Sequence, residues 1–142
     1  MSLPETYLQM LSTVTEAGEL WMELKEQPMP TPKPDQVIVR VEATPINPSD
    51  QGVMFGWSSM GKAKGSGSGA EAVLTAPVPP VGMKTMKARI GQSLPVGNEG
   101  AGFVVAAGDS PAAQALMGKL VAVMGGGMYA QYRCLPAMMC MP

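Results

Sequence analysis

The chain has 142 residues, 46% hydrophobic and 15% charged, with a formal net charge of −1 and no histidine. That balance suits one packed domain with a real core rather than a disordered chain. Near-neutral charge offers no basis for holding nucleic acid or an anionic membrane, and no apolar run approaches the ~20 residues that span a bilayer.

The first half alternates with a period of two, as half-buried strands do. Leu20, Met22 and Leu24 share a face opposite Trp21, Glu23 and Lys25, and Glu16-Ala-Gly-Glu19 before them reads as a hairpin turn, with Gly18 taking positive φ. Pro28, Pro30, Pro32 and Pro34 cannot donate to a ladder and predict an extended loop. Val37, Val39, Val41 and Ala43 then alternate with Ile38, Arg40 and Glu42 in a further strand. Ser49 or Asp50 is the expected cap of a short helix stopped by Gly56.

Gly61-Lys-Ala-Lys-Gly-Ser-Gly-Ser-Gly69 is a low-complexity stretch expected to be mobile. After Pro79-Pro80, Met83, Met86 and Ile90 repeat with a helical period, while Lys84 and Arg89 point elsewhere and predict a solvated basic face. Phe103 to Ala107 reads as a strand, and Ser110 to Met117 as a short helix capped by Ser110. Lys119–Met124 and Met128–Leu135 read as two strands joined by a hairpin turn at Gly125-Gly-Gly127. Many strands with few short helices predict a mainly β, barrel-like fold.

Gly125-Gly-Gly-Met-Tyr-Ala130 fits the string of a dinucleotide-binding turn. The chemistry also needs a helix opening at the glycines within a βαβ unit and an acid about 20 residues on. Only a strand-like tail follows, so the match is a false positive. Cys134 and Cys140 have no histidine partners and no C-x-x-C spacing, and they read as free thiols. The 14 methionines read as adaptable core and interface filler rather than metal ligands. The N-terminus has no basic stretch followed by an apolar one, so it does not read as a signal peptide, and a cytoplasmic protein is expected.

Two segments carry the chemistry. In Ile46-Asn-Pro-Ser-Asp50, Asn47 precedes a proline and is held extended, which aims its amide beyond the strand end, although Asn, Ser and Asp here also fit an ordinary turn or cap. In Val96-Gly-Asn-Glu-Gly-Ala-Gly102, the glycines allow close backbone approach around a carboxylate expected to be partly buried.

Together, Ala43-Thr-Pro-Ile-Asn-Pro-Ser-Asp50 and Val96-Gly-Asn-Glu-Gly-Ala-Gly102 resemble the two active-site stretches of the medium-chain dehydrogenase/reductase superfamily. Pro32 to Ala43, Gly118 to Val123 and Met128 to Tyr132 resemble further strands of its catalytic domain, so the likeness misses only residues 57–84. In the zinc alcohol dehydrogenases of that superfamily, metal-binding Cys and His stand at the positions of Asn47 and Asn98. Neutral amides replace thiolate and imidazole here, which implies the zinc-free, quinone-oxidoreductase-like branch, with no metal.

The resemblance implies a GroES-like, partly open β-barrel over residues 1–142, with 57–84 an atypical mobile insertion. It also implies a nucleotide-binding domain after Pro142 in a longer parent, absent from this chain. Asn47 and Asp50 would lie near nicotinamide and substrate as the catalytic pair, with Asn47 also contacting cofactor. Asn98, Glu99, Tyr129 and Ser49 would form or back the active-site wall, and Asn47 and Asn98 would approach one another. The parent would use NADPH or NADH to reduce a small quinone, enone or other carbonyl, and none of that cofactor would bind this fragment, itself expected to be inactive. Apolar surface left by the missing half, methionines near the C-terminus included, would let chains pair as a homodimer. A free-standing barrel acting as a binding or assembly module is the other reading.

Overall fold

The computed structural model describes residues Ser2–Pro142. The fold is mainly β, as expected, with three short α-helices and one sheet curled into a half-barrel. The chain divides into two compact units: Met1–Gln9, Glu26–Pro45 and Gly97–Pro142 in the first, Met10–Lys25 and Ile46–Val96 in the second.

The first unit is built on a five-stranded sheet in the order β10-β8-β7-β3-β9. These strands are β3 (Gln36–Ala43), β7 (Glu99–Ala107), β8 (Leu120–Met124), β9 (Tyr132–Pro136) and β10 (Cys140–Met141). All four ladders are antiparallel. The alternation read in β3 is only partly realised: Val37 and Val39 are fully buried and pack with Val104, Val121, Val123, Met128 and Leu135, but Ile38 between them is buried as well, next to an irregularity in the β3–β7 register. Each such side chain contributes about 1.5–3 kcal/mol by leaving water. Helix α3 (Pro111–Gln114) closes one side of this core, and the Ser110 hydroxyl caps it by accepting from the Ala113 N–H at 3.2 Å. It is shorter than expected, ending well before Met117.

One expected connection is wrong. Gly125-Gly-Gly127 does turn the chain, with positive φ at Gly126 and Gly127, yet it makes no hairpin. β8 pairs with β7 and β10, whereas β9 crosses to the far side of β3. The first four residues of the expected second strand also lie outside it, since β9 begins at Tyr132.

The second unit carries the sheet β4-β5-β2-β1-β6. These are β1 (Thr6–Val14), β2 (Glu19–Pro28), β4 (Lys64–Ser66), β5 (Val73–Pro77) and β6 (Ser93–Pro95), of which residues 6–9 of β1 and 26–28 of β2 belong to the first unit. The turn before β2 is as expected: Gly18 has φ of 79° and donates to the Thr15 carbonyl at 3.1 Å. Leu20 and Met22 are buried while Trp21 stays exposed, the alternation of a one-sided strand. The glycine-rich stretch at 61–69 holds β4, an edge strand antiparallel to β5. Helix α1 spans Pro48–Met54 and helix α2 spans Pro80–Thr85, with a 3-10 turn at Lys87–Arg89. Among the described residues no helix is long and apolar enough to cross a membrane.

Candidate functional site

The first segment opens helix α1 in the second unit. Pro48 occupies the first helical position, where a missing N–H costs nothing, and it holds Asn47 extended at φ −90°, ψ 157°. The N-cap is therefore Asn47, and neither Ser49 nor Asp50 takes that place. Asp50 lies one turn in, only 1% exposed, and its carboxylate accepts from the Asn47 N–H at 2.7 Å. The Asp50 N–H returns a bond to the Asn47 carbonyl at 3.0 Å. A carboxylate satisfying an orphan N–H at a helix start is also favoured by the helix dipole. Asp50 thus fixes the backbone from which the Asn47 amide projects. Asn47 is half-buried and Ser49 is exposed.

The other end of α1 is held by a residue that charge pattern alone misreads. Arg89, expected on a solvated face, turns inward: Nη1 donates to the Val53 carbonyl at 2.9 Å and Nη2 to the Ser12 hydroxyl at 3.0 Å. The Ser12 hydroxyl in turn donates to the Met54 carbonyl at 2.9 Å, and Ser12 is fully buried. A cation thus meets the last carbonyls of α1, where the dipole favours it. Burial pushes the Arg89 guanidinium below its ordinary pKa, and its buried Nε has no acceptor.

From Gly97 onward the second segment lies in the first unit and runs into β7. Gly97 has φ of 93°, and a Cβ there would sit 2.5 Å from the Tyr129 ring. Glycine is thus required twice over, by conformation and by space. The Gly97 carbonyl accepts from the Met128 N–H at 3.1 Å, and the Asn98 carbonyl accepts from the Gly126 N–H at 3.2 Å. Tyr129 is then tied through its hydroxyl to the Pro45 carbonyl at 3.0 Å. Gly102 serves a different need, because a Cβ would come within 2.0 Å of the Arg40 carbonyl across the β3–β7 ladder.

Asn98 is exposed, and Glu99, at the head of β7, is half-buried as expected. Glu99 borders a groove of about 350 Å³ whose other walls include Pro45, Ala101, Ala122, Met124 and Met141. Apart from that carboxylate and Thr44 the groove is lined by apolar residues and glycine, a lining that suits a carbon skeleton.

Asn47, Ser49 and Asp50 belong to one unit and Asn98, Glu99 and Tyr129 to the other. The resemblance, not the geometry of either unit, pairs Asn47 with Asn98. Among the described residues no group of three or more His, Cys, Asp or Glu could hold a metal ion. The donors at the two matched positions are amides, a chemistry that does not fit zinc. Nor do the glycines at 125–127 open a helix, so they build no phosphate cradle.

Comparisons with known proteins bear on the fold. The whole chain aligns at 26% identity and a TM-score of 0.62 with a Mesorhizobium loti protein named as an NADPH:quinone reductase, covering 38% of it. It aligns in full with a Streptomyces 2-octenoyl-CoA carboxylase reductase, at 20% identity, a TM-score of 0.56 and 40% of that chain. A mycobacterial protein solved with NADPH matches 94% of the chain at 16% identity and a TM-score of 0.55, over 32% of its own length. The chain thus spans well under half the length of these proteins. No curated protein matches the sequence. The alcohol dehydrogenase GroES-like domain matches residues 33–142. A match over most of the chain, on a mainly β fold with the half-barrel such a domain requires, makes this chain a member of the alcohol dehydrogenase GroES-like domain family, with the medium-chain dehydrogenases and reductases as its structural relatives.

Proposed function

We propose that the chain is the N-terminal catalytic domain of a longer, zinc-independent, NAD(P)H-dependent oxidoreductase that reduces a quinone, enone or similar carbonyl. The observation that carries this reading is the full-length alignment with the NADPH:quinone reductase, of which the chain spans 38%. Asparagine at both matched ligand positions supports the zinc-free branch. In the parent, nicotinamide would supply the hydride, and the residues here would bind and orient.

Without a metal, polarisation of a carbonyl falls to hydrogen-bond donors, and the Asn47 amide is the residue we assign to it. Asp50 would stand beside it as the second catalytic candidate, and its bond to the Asn47 N–H also gives it the task of holding Asn47 in place. Ser49, Asn98, Glu99 and Tyr129 would complete the wall. Asn47 would further contact the cofactor.

The test is NADPH oxidation by the native gene product with a series of quinones and enones, before and after removal of tightly bound zinc. Turnover that survives chelation and falls at least tenfold in Asn47→Ala is expected. Turnover that stops on zinc removal refutes the branch assignment. A binding or assembly module is the second reading, favoured by the lack of a nucleotide fold among the described residues. A native polypeptide ending near Pro142, read by mass spectrometry, would support it.

A further inference from the structure

Helix α1 carries Asn47 at its first end and is gripped at its last by groups from two other parts of the second unit. From the 3-10 turn, Arg89 sends Nη1 to the Val53 carbonyl at 2.9 Å. Its Nη2 donates to the Ser12 hydroxyl at 3.0 Å, and that hydroxyl donates onward to the Met54 carbonyl at 2.9 Å. Three residues before Arg89, the Met86 sulfur accepts the Trp57 N–H at 3.4 Å, just past the helix. Gly56 permits this approach, because its φ is 53° and a Cβ there would collide with that sulfur.

The anchor is Ser12. It is fully buried in β1, which lies between β2 and β6, so the grip ties the helix to a sheet strand rather than to a loop. One bond to a carbonyl would suffice to finish a helix end. The rigid guanidinium fork instead spans a helix carbonyl and a strand hydroxyl, which fixes the direction of α1 against β1.

From Met54 back to Asn47 is seven residues, about 10 Å at about 1.5 Å per residue. Over that length a tilt of about 5° at the grip displaces Asn47 by about 1 Å. Misplacement on that scale costs a reaction on the order of 10²-fold when the group must meet a reacting atom. Resting on the role proposed above for the Asn47 amide, we infer that Arg89, anchored on Ser12, is a positioning residue for Asn47. Asp50 sets the local backbone at Asn47, whereas Arg89 and Ser12 set where the whole helix points. Arg89 acts through the helix rather than on the substrate.

The test uses the native gene product labelled with 15N-asparagine, the Asn47 side-chain amide being identified by its loss in Asn47→Ala. Arg89→Met and Ser12→Ala should each shift that resonance in samples that circular dichroism shows to be folded. In NADPH oxidation with 1,4-naphthoquinone, both should lower kcat about tenfold or more, while KM for the quinone changes less than about twofold. Arg89→Lys keeps the charge and reaches one of the two partners, so it should recover part of kcat and move the resonance back toward the parent. Ser110→Ala removes the hydroxyl that caps α3 without touching α1, and it should leave both readouts unchanged. An Asn47 resonance that stays in place in Arg89→Met and Ser12→Ala overturns the inference, whatever happens to turnover. So does a kcat that falls equally in Ser110→Ala. Full turnover in Asn47→Ala, with the resonance still shifted in the Arg89 and Ser12 variants, would refute the polarising role and leave the positioning standing.

Discussion

Replacing Arg89 with methionine removes the guanidinium that clasps helix α1 and keeps a stem of similar length. The structure sets the magnitude. Two well-formed bonds are lost, to the Val53 carbonyl at 2.9 Å and the Ser12 hydroxyl at 3.0 Å, and a longer contact to the Ser12 carbonyl at 3.4 Å adds little. Bonds to a charged donor contribute roughly 1.5 kcal/mol each at such a half-buried position, the low end of their range. Against this, the buried Nε that has no acceptor disappears, which returns about 1 kcal/mol. The net loss is then about 2 kcal/mol, or roughly 4–8 °C in Tm for a domain of this size. Differential scanning calorimetry of the 142-residue chain measures it, and hydrogen exchange at the α1 amides locates it. Arg89→Lys, which keeps the charge but not the fork, should lose about half as much. A Tm within 1 °C of the parent in Arg89→Met, with unchanged α1 protection, would refute the clasp and return Arg89 to a solvated surface.

Gly97→Ala should destabilise by about 2–4 kcal/mol, since it strains a positive φ and drives a methyl into Tyr129, whereas Gly126→Ala, with positive φ but open space, should cost only about 1 kcal/mol by urea titration. Tyr129→Phe deletes the hydrogen bond to the Pro45 carbonyl and should cost about 1 kcal/mol, leaving the fold unchanged by circular dichroism. Asp50→Ala should cost at least about 1 kcal/mol and release Asn47 at the start of α1, which amide chemical shifts would report. Burial raises the Cys134 and Cys140 thiols above their ordinary 9.0, with Arg133 and Lys33 opposing the rise at Cys134. The unfolded thiols then lose protons first, so stability is fully present below about pH 9 and declines as pH climbs toward the raised folded values. Denaturation midpoints constant or rising over that range would contradict the assignment.

Periodicity and chain stiffness are local, and what depends on them was legible in the residues. The one-sided pattern of Leu20 and Met22 against Trp21, the Gly18 turn, the Ser110 cap and the glycines around Glu99 each follow from side-chain size, φ preference or a single short-range bond. So did the family, because Asn47 to Asp50 and Gly97 to Gly102 are contiguous strings. Other features depend on partners distant in sequence. Alternation identifies β8 and β9 as strands but is silent on their neighbours, and core packing against β3 and β7 sends them to opposite sides of the sheet. The basic face around Arg89 was read on an α-helical wheel, yet α2 stops at Thr85 and a 3-10 turn follows, so the wheel loses phase and Arg89 swings inward to Ser12 and Val53. The sequence offers Asp50 as a cap or as one of a catalytic pair; its burial and its bond to the Asn47 N–H, which no string of residues displays, add a positioning task. A sequence specifies which face of each element is apolar, but which apolar faces find cover, and which stay open like the exposed Phe103–Leu120 pair across β7 and β8, is decided by the packing of the whole sheet.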